Sequence, residues 1–319
     1  MKNFWKDLKK PFFVLAPMAD VTDVAFRRII AKYGKPDVTW TEFVSADGLA
    51  RAPEEGRKKL LKDLEYSESE RPIVAQLFSS TPEYMEQAAA LCQELGFDGI
   101  DINMGCPDKG IEKQGCGAAM IKHPAKAREI IRAAMKGAPN LPVTVKTRIG
   151  YNKNEIATWI PELLAEQPAA ITVHCRTRKE MSKVPARWEH IREVTALRDA
   201  LSPETLIIGN GDVTDIDDAK NKCEEFGADG AMIGRGIFGN PWRFRRDNYI
   251  PTVPEKLRVM VEHTKLFQEL LGDMKSFALM KKHYKAYVND FEGAKELRAK
   301  LMETENADQV EEIVNNFLS

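Results

Sequence analysis

The run Val143-Thr144-Val145-Lys146-Thr147-Arg148 sets two cations into an otherwise apolar stretch. A charge inside an apolar strand costs several kcal/mol unless it is paired or held against an anion. Lys146 therefore needs a partner: a carboxylate such as Asp101, a bound anion, or a substrate carbonyl for which it is the reactive amine. Two glycine-rich words could receive an anion, Gly209-Asn210-Gly211-Asp212 and Gly234-Arg235-Gly236. Glycine lets bare backbone N–H groups approach a phosphate, and Arg235 adds charge, although the same glycines also suit tight turns. Cys106 follows Asn103-Met104-Gly105 and opens a connection with glycines at 105, 110, 115 and 117. A thiol on such a loop can serve as proton donor or nucleophile. Cys116 lies in the same loop, and a lone cysteine is more often a small hydrophobe, so spacing does not choose between them. Gln76 and His174 are weaker candidates, because a single interior amide or imidazole is as often a satisfied core residue as a ligand.

These residues sit at the ends of short apolar runs, and the runs recur. Residues 12–18, 38–44, 73–78, 99–104, 143–149, 170–175, 206–209 and 230–233 are β-branched or apolar, each bounded by Gly, Pro or Asp and followed by helical periodicity. Runs apolar on both faces that alternate with helices call for a parallel sheet, and eight such units close into a (β/α)8 (TIM) barrel. An open doubly wound sheet is the rival, but no G-x-G-x-x-G follows the first run; Ala19 to Asp23 reads instead as a helix cap. In a barrel, chemistry gathers at the C-terminal strand ends, and the loops after the seventh and eighth strands form the usual phosphate site. After Pro251 only helical spacing remains, in Leu257, Met260, Val261, Thr264 and Phe267, then Phe277, Met280, Tyr284 and Tyr287, then Leu297 and Leu301. The expected organisation is a catalytic barrel over 1–250, a linker at 251–254 and a small all-helical C-terminal domain over 251–319.

The chain has 319 residues, 43% hydrophobic and 30% charged, enough for a large core. Forty-seven basic against 48 acidic side chains leave a net charge of −1, so a polyanionic partner would have to find a local basic patch. One candidate is Trp242-Arg243-Phe244-Arg245-Arg246; another is Lys275, Lys281, Lys282, His283 and Lys285, interleaved with Tyr284 and Tyr287. Either could equally be a solvated face over core aromatics. Five scattered cysteines without a C-x-x-C pair fit neither a disulfide scaffold nor a structural metal site, and point to a reducing compartment. The first ten residues are amphipathic, and the apolar run after them holds Pro17 and is too short to span a bilayer. A cytoplasmic monomer with no membrane contact is expected.

Together the strand-end words resemble the tRNA-dihydrouridine synthase family. Ala16-Pro17-Met18-Ala19 with Thr22-Asp23 and Phe26-Arg27 is similar to its opening, and Asn103-Met104-Gly105-Cys106-Pro107 with Lys109 to its catalytic loop. Val145 to Arg148, His174-Cys175-Arg176-Thr177-Arg178, Asn210-Gly211-Asp212 and Gly234-Arg235-Gly236 complete the set. The resemblance implies FMN over the barrel mouth: Pro17, Met18 and Ala19 beneath the ring, Gln76, Lys146 and His174 hydrogen-bonding it, and the phosphate on Asn210, Gly211, Asp212, Gly234 and Arg235. It implies NADPH as reductant, tRNA as substrate, hydride addition at uracil C6 and protonation of C5 by Cys106. Asn103 and Arg148 would hold the uracil edge, Lys109 and Arg178 the RNA nearby, and Lys281, Lys282 and Lys285 the tRNA backbone. Two departures stand out: Cys175 replaces the glycine usual after the strand-six histidine, and residues 179–185 lack an aromatic often found near the base. Competing readings are an FMN barrel acting on a small molecule, as in dihydroorotate dehydrogenase-like enzymes, a Schiff-base aldolase built on Lys146, and a flavin-less RNA-binding barrel.

Overall fold

Each of the eight runs forms a strand: β1 Phe12–Leu15, β2 Thr39–Ser45, β3 Ile73–Phe78, β4 Gly99–Met104, β5 Val143–Arg148, β6 Ala170–His174, β7 Leu206–Asn210 and β8 Gly230–Ile233. The structure is a computed structural model that describes residues 3–247 and 249–319; Met1 and Lys2 of the N-terminal stretch lie outside the described residues. All strand pairs are parallel, in the order β1-β8-β7-β6-β5-β4-β3-β2. The first and last strands of that order meet through a parallel bridge between Val14 and Val38, with the Leu15 N–H donating to the Val38 carbonyl at 3.2 Å. That bridge closes the (β/α)8 barrel. β1 stops at Leu15 because Pro17, two residues on, has no N–H to continue the ladder.

Side chains alternate across a strand, so residues two apart share a face. Register pairs Gln76 with Asp101, Asn103 with Lys146, Arg148 with His174, and His174 with Asn210. The polar candidates of five strands therefore share the lumen in successive layers toward its C-terminal mouth. At the opposite end Trp5, Phe12 and Trp40 plug the barrel, with Trp5 ring centroids 5.9 and 5.8 Å from the other two. The outward strand faces meet helices such as Pro82–Glu94 and Pro124–Gly137, and each fully buried Ile or Leu in that layer contributes roughly 1.5–3 kcal/mol.

Thr252 caps the first tail helix, Val253–Leu271, in a reciprocal capping box with Glu255, so the helix begins inside the expected linker. Helices Met280–Tyr287, Ala294–Leu301 and Ala307–Leu318 follow. Their apolar core is continuous with Val24, Ala25 and Ile29 on the first barrel helix, Val24–Tyr33, so the tail packs on the barrel flank beside β1. Polar ties reinforce it: Glu262 accepts from Lys32 at 2.6 Å and Tyr33 at 2.5 Å, and Lys275 reaches Glu42 at 2.8 Å and Asp63 at 2.9 Å.

Candidate active site

A cleft of about 730 Å³ opens at the C-terminal mouth, walled by Pro17, Met18, Lys146, His174, Asn210, Gly211, Asp212, Gly234 and Arg235. Ala19 lies on the exposed turn beyond, with Ala16 in the wall instead. Gln76 is fully buried one layer below. Glycine is required at two points of the rim. A Cβ on Gly211, whose φ is +118°, would stand 2.8 Å from Ala186 Cβ, and one on Gly236 would meet the Val213 carbonyl at 2.6 Å. A Cβ on Gly234 would instead point into the cleft toward Ala16 and Met18.

Lys146 rises from the floor, and its one polar partner among the described residues is Asn210 Oδ1 at 3.4 Å. Asn210 Nδ2 donates to the Met232 carbonyl at 2.9 Å, which turns the amide oxygen toward the lysine. Asp101, the carboxylate considered for Lys146, accepts instead from Gln76 Nε2 and Thr144 Oγ1, each at 2.6 Å. Burial and the neighbouring Arg148 bring the Lys146 amine down to about 8, against a weaker opposing pull from Asp101. His174 is held well below the usual imidazole range by burial and the surrounding cations, and is neutral at pH 7. Arg176 Nη1 lies 3.0 Å from His174 Nε2. Since a guanidinium only donates, Nε2 accepts and the ring proton sits on Nδ1. Arg176 also pairs with Asp212, whose other oxygen accepts from Arg235 at 2.8 Å. Asp212 is thus a clamp between two arginines.

A chain of amides runs from the lumen to Cys106. Gln76 Oε1 accepts from Asn103 Nδ2 at 3.1 Å, and Asn103 Oδ1 accepts the backbone N–H groups of Gly105 at 3.2 Å and Cys106 at 2.9 Å. Arg148 Nε donates to the Gly105 carbonyl at 2.7 Å, while Nη1 reaches the carbonyls of Met181 and Thr177 at 2.9 and 3.2 Å. This staples the loop after β4 to the loop after β6. Glu112 adds a second staple by accepting from Arg178 Nε at 2.9 Å. Cys106 is half-buried, and desolvation pushes its thiol above the ordinary range. Cys116 is buried against Phe78 and Ile111, its thiol pushed up to about 11. Lys109 is exposed on the short helix Lys109–Lys113.

The basic clusters divide. Lys275 is half-buried in its two ion pairs, and His283, Tyr284 and Tyr287 belong to the tail core. Lys281, Lys282 and Lys285 line one groove with Lys295 and Arg298, and Lys282 also donates to the Asp20 carbonyl. Of the three arginines after β8, Arg245 pairs with Asp247, Arg246 pairs with Asp37, and Arg243 enters the cleft wall.

The family description "Dihydrouridine synthase (Dus)" matches residues 14–319. The chain belongs to the dihydrouridine synthase family. It is 40% identical over 318 residues to "Probable tRNA-dihydrouridine synthase 2" of Bacillus subtilis, covering 99% of this chain and 97% of that protein. A Staphylococcus aureus "Probable tRNA-dihydrouridine synthase" is 39% identical over 99% of this chain and 96% of its own length. Two solved structures share the barrel at low identity and speak for the fold alone. Morphinone reductase in complex with tetrahydroNAD has a TM-score of 0.53 at 14% identity, over 78% of this chain and 90% of that one. A 2-naphthoyl-CoA reductase complex has 0.55 at 12%, over 73% and 49%.

Within this dihydrouridine synthase, Cys175 is fully buried in the barrel core, its N–H donating to the Asn210 carbonyl at 2.9 Å. The departure from glycine thus points away from the cleft wall. Sequence reasoning missed Arg176 and Arg243 as cleft residues. For Arg176 the available signal was its spacing of two from His174; for Arg243 it was its place between two aromatics.

Proposed function

We propose that this dihydrouridine synthase reduces uridines in tRNA to 5,6-dihydrouridine with FMN in the barrel-mouth cleft and NADPH as reductant. One observation carries the reading: Lys146, a half-buried cation with no carboxylate in hydrogen-bond contact, faces a cleft whose glycine rim suits a phosphate. The donor set fits a flavin nucleotide. Lys146 would offset negative charge on the flavin ring, the neutral His174 would offer its Nδ1–H, and Gly211, Gly234 and Arg235 would receive the phosphate. When bound, FMN supplies the hydride for uracil C6.

The chain's own residues do the rest. Cys106, kept protonated by burial, gives its proton to C5. Asn103 retains one amide N–H and Arg148 its Nη2 donors for the uracil edge, after the bonds that fix the loop are counted. The target base leaves the RNA stack to reach them, and lysines of the tail groove hold the backbone. No helix among the described residues is long and apolar enough to cross a membrane, and five free thiols support a reducing, cytoplasmic setting.

The test is direct. Purified protein should be yellow, be bleached by NADPH under anaerobic conditions, and regain colour with unmodified tRNA as dihydrouridine forms. Colourless protein that binds no FMN, or bleached protein that leaves tRNA unchanged, refutes it.

A further inference from the structure

We propose that Arg243 is a second cation for the FMN phosphate and sets a preference for FMN over riboflavin, an inference that rests on the flavin reading of the cleft. Trp242 and Phe244 are both buried, and Trp242 packs edge-on against Tyr33 with centroids 5.2 Å apart. Anchored on both sides, the residue between them is forced outward. The Arg243 N–H closes a turn onto the Asn240 carbonyl at 3.1 Å. Its Nε donates to the Gly236 carbonyl at 3.0 Å, which aims the guanidinium along the wall shared with Gly234, Arg235 and Thr214.

Charge separates the two arginines of that wall. Arg235 is largely solvent-exposed and shares Asp212 with Arg176, so three charged groups leave a net +1. Among the described residues Arg243 has no ion-pair partner, and its four Nη–H donors have no acceptor there. A phosphate monoester carries between one and two negative charges near neutral pH, more than the clamped trio offsets. An unpaired guanidinium held at the same rim supplies the remainder and two parallel donors for phosphate oxygens.

FMN and riboflavin differ by the phosphate alone, so the comparison isolates that end of the cleft. Flavin-free full-length protein is titrated with each flavin and fluorescence quenching read, for wild type, Arg243→Ala and Arg243→Lys. Wild type should favour FMN strongly. Arg243→Ala should narrow the FMN-to-riboflavin ratio by about 10- to 100-fold while riboflavin affinity stays constant, with partial recovery in Arg243→Lys. An unchanged ratio in Arg243→Ala overturns the proposal, also when tRNA affinity falls instead. Equal loss of both flavins overturns it too, since that marks a collapsed wall. Wild type that binds neither flavin removes the cofactor reading itself, an outcome distinct from a failure confined to position 243.

Discussion

Asn103 positions Cys106: one side-chain oxygen accepts the N–H of Cys106 at 2.9 Å and of Gly105 at 3.2 Å, while its amide nitrogen is tied to Gln76. The sharp exit from β4 is therefore held by a side chain at the strand's own end. Replacing Cys106 with Ala should leave flavin content and NADPH oxidation intact and lower dihydrouridine formation by roughly 100-fold or more, the loss of a general acid. Asn103→Ala keeps the thiol but frees the loop, and should lower the same rate by about 10-fold with flavin retained. Cys116→Ala should leave the rate nearly unchanged, because that thiol packs against Phe78 and Ile111. Single-turnover reduction of unmodified tRNA by prereduced variants measures all three.

A second prediction concerns pH. Burial raises the Cys106 thiol above its ordinary range, so the protonated form, the proposed proton donor, dominates at neutral pH. Dihydrouridine formation by prereduced enzyme should not climb from about pH 6 upward and should decline at alkaline pH as Lys146 and then the raised thiol lose their protons. A rate that climbs between pH 7 and 9 would mean that the thiolate is the active form and would reject the assignment.

Lys146 gives a stability prediction of opposite origin. Its amine falls from 10.5 in an unfolded chain to about 8 in the fold. Below pH 8 both states carry the proton and the fold bears the cost of the buried charge. Between pH 8 and 10.5 the fold releases a proton that the unfolded chain keeps, so stability rises with pH. Against Lys146→Met, flavin-free wild type should gain about 1–3 kcal/mol from pH 7 to 10 in paired urea titrations. Parallel curves for the two proteins would show that the lysine is not buried as described.

Arg235 and Asp212 test the phosphate end. Arg235→Ala should release flavin on dilution, since a charged hydrogen bond contributes about 1.5–3 kcal/mol. Asp212→Asn, which removes the carboxylate shared by Arg176 and Arg235 and raises the local charge by one, should by contrast keep flavin bound. Flavin occupancy after gel filtration measures both, and undiminished occupancy in Arg235→Ala removes that residue from the phosphate site.

What the sequence made legible follows from how local each signal was. The strands declared themselves because each is apolar on both faces, and Lys146 declared itself as the exception within one. Partner choice did not: Asp101 was a fair candidate for Lys146, yet the register sets it beside Gln76 and Thr144, contacts 25 and 43 residues away. Lys275 looked like one basic tail residue among several until folding brought Glu42, 233 positions earlier, against it. The arginines at 243, 245 and 246 formed one patch on paper, but alternate anchoring by Trp242 and Phe244 sends the first into the cleft and leaves the others to Asp247 and Asp37.

The tail groove separates two roles among its lysines. Lys281 and Lys285, four apart on one helix, line it with Lys295 and Arg298 and make no ion pair among the described residues. Lys282 differs, because it donates to the Asp20 carbonyl on the turn that follows Pro17 and Met18. Neutralising Lys281 and Lys285 together removes up to two phosphate contacts, which should weaken tRNA binding and lower the slope of log affinity against log salt by about 1.5, with flavin content unchanged. Lys282→Ala alone should instead loosen the Met18 turn and lower flavin retention, with a smaller change in salt slope. Titrating tRNA at several salt concentrations, alongside flavin occupancy, distinguishes the two. If the double variant matches wild type in slope and affinity, the groove does not hold RNA, and the solvated-face reading of these lysines stands.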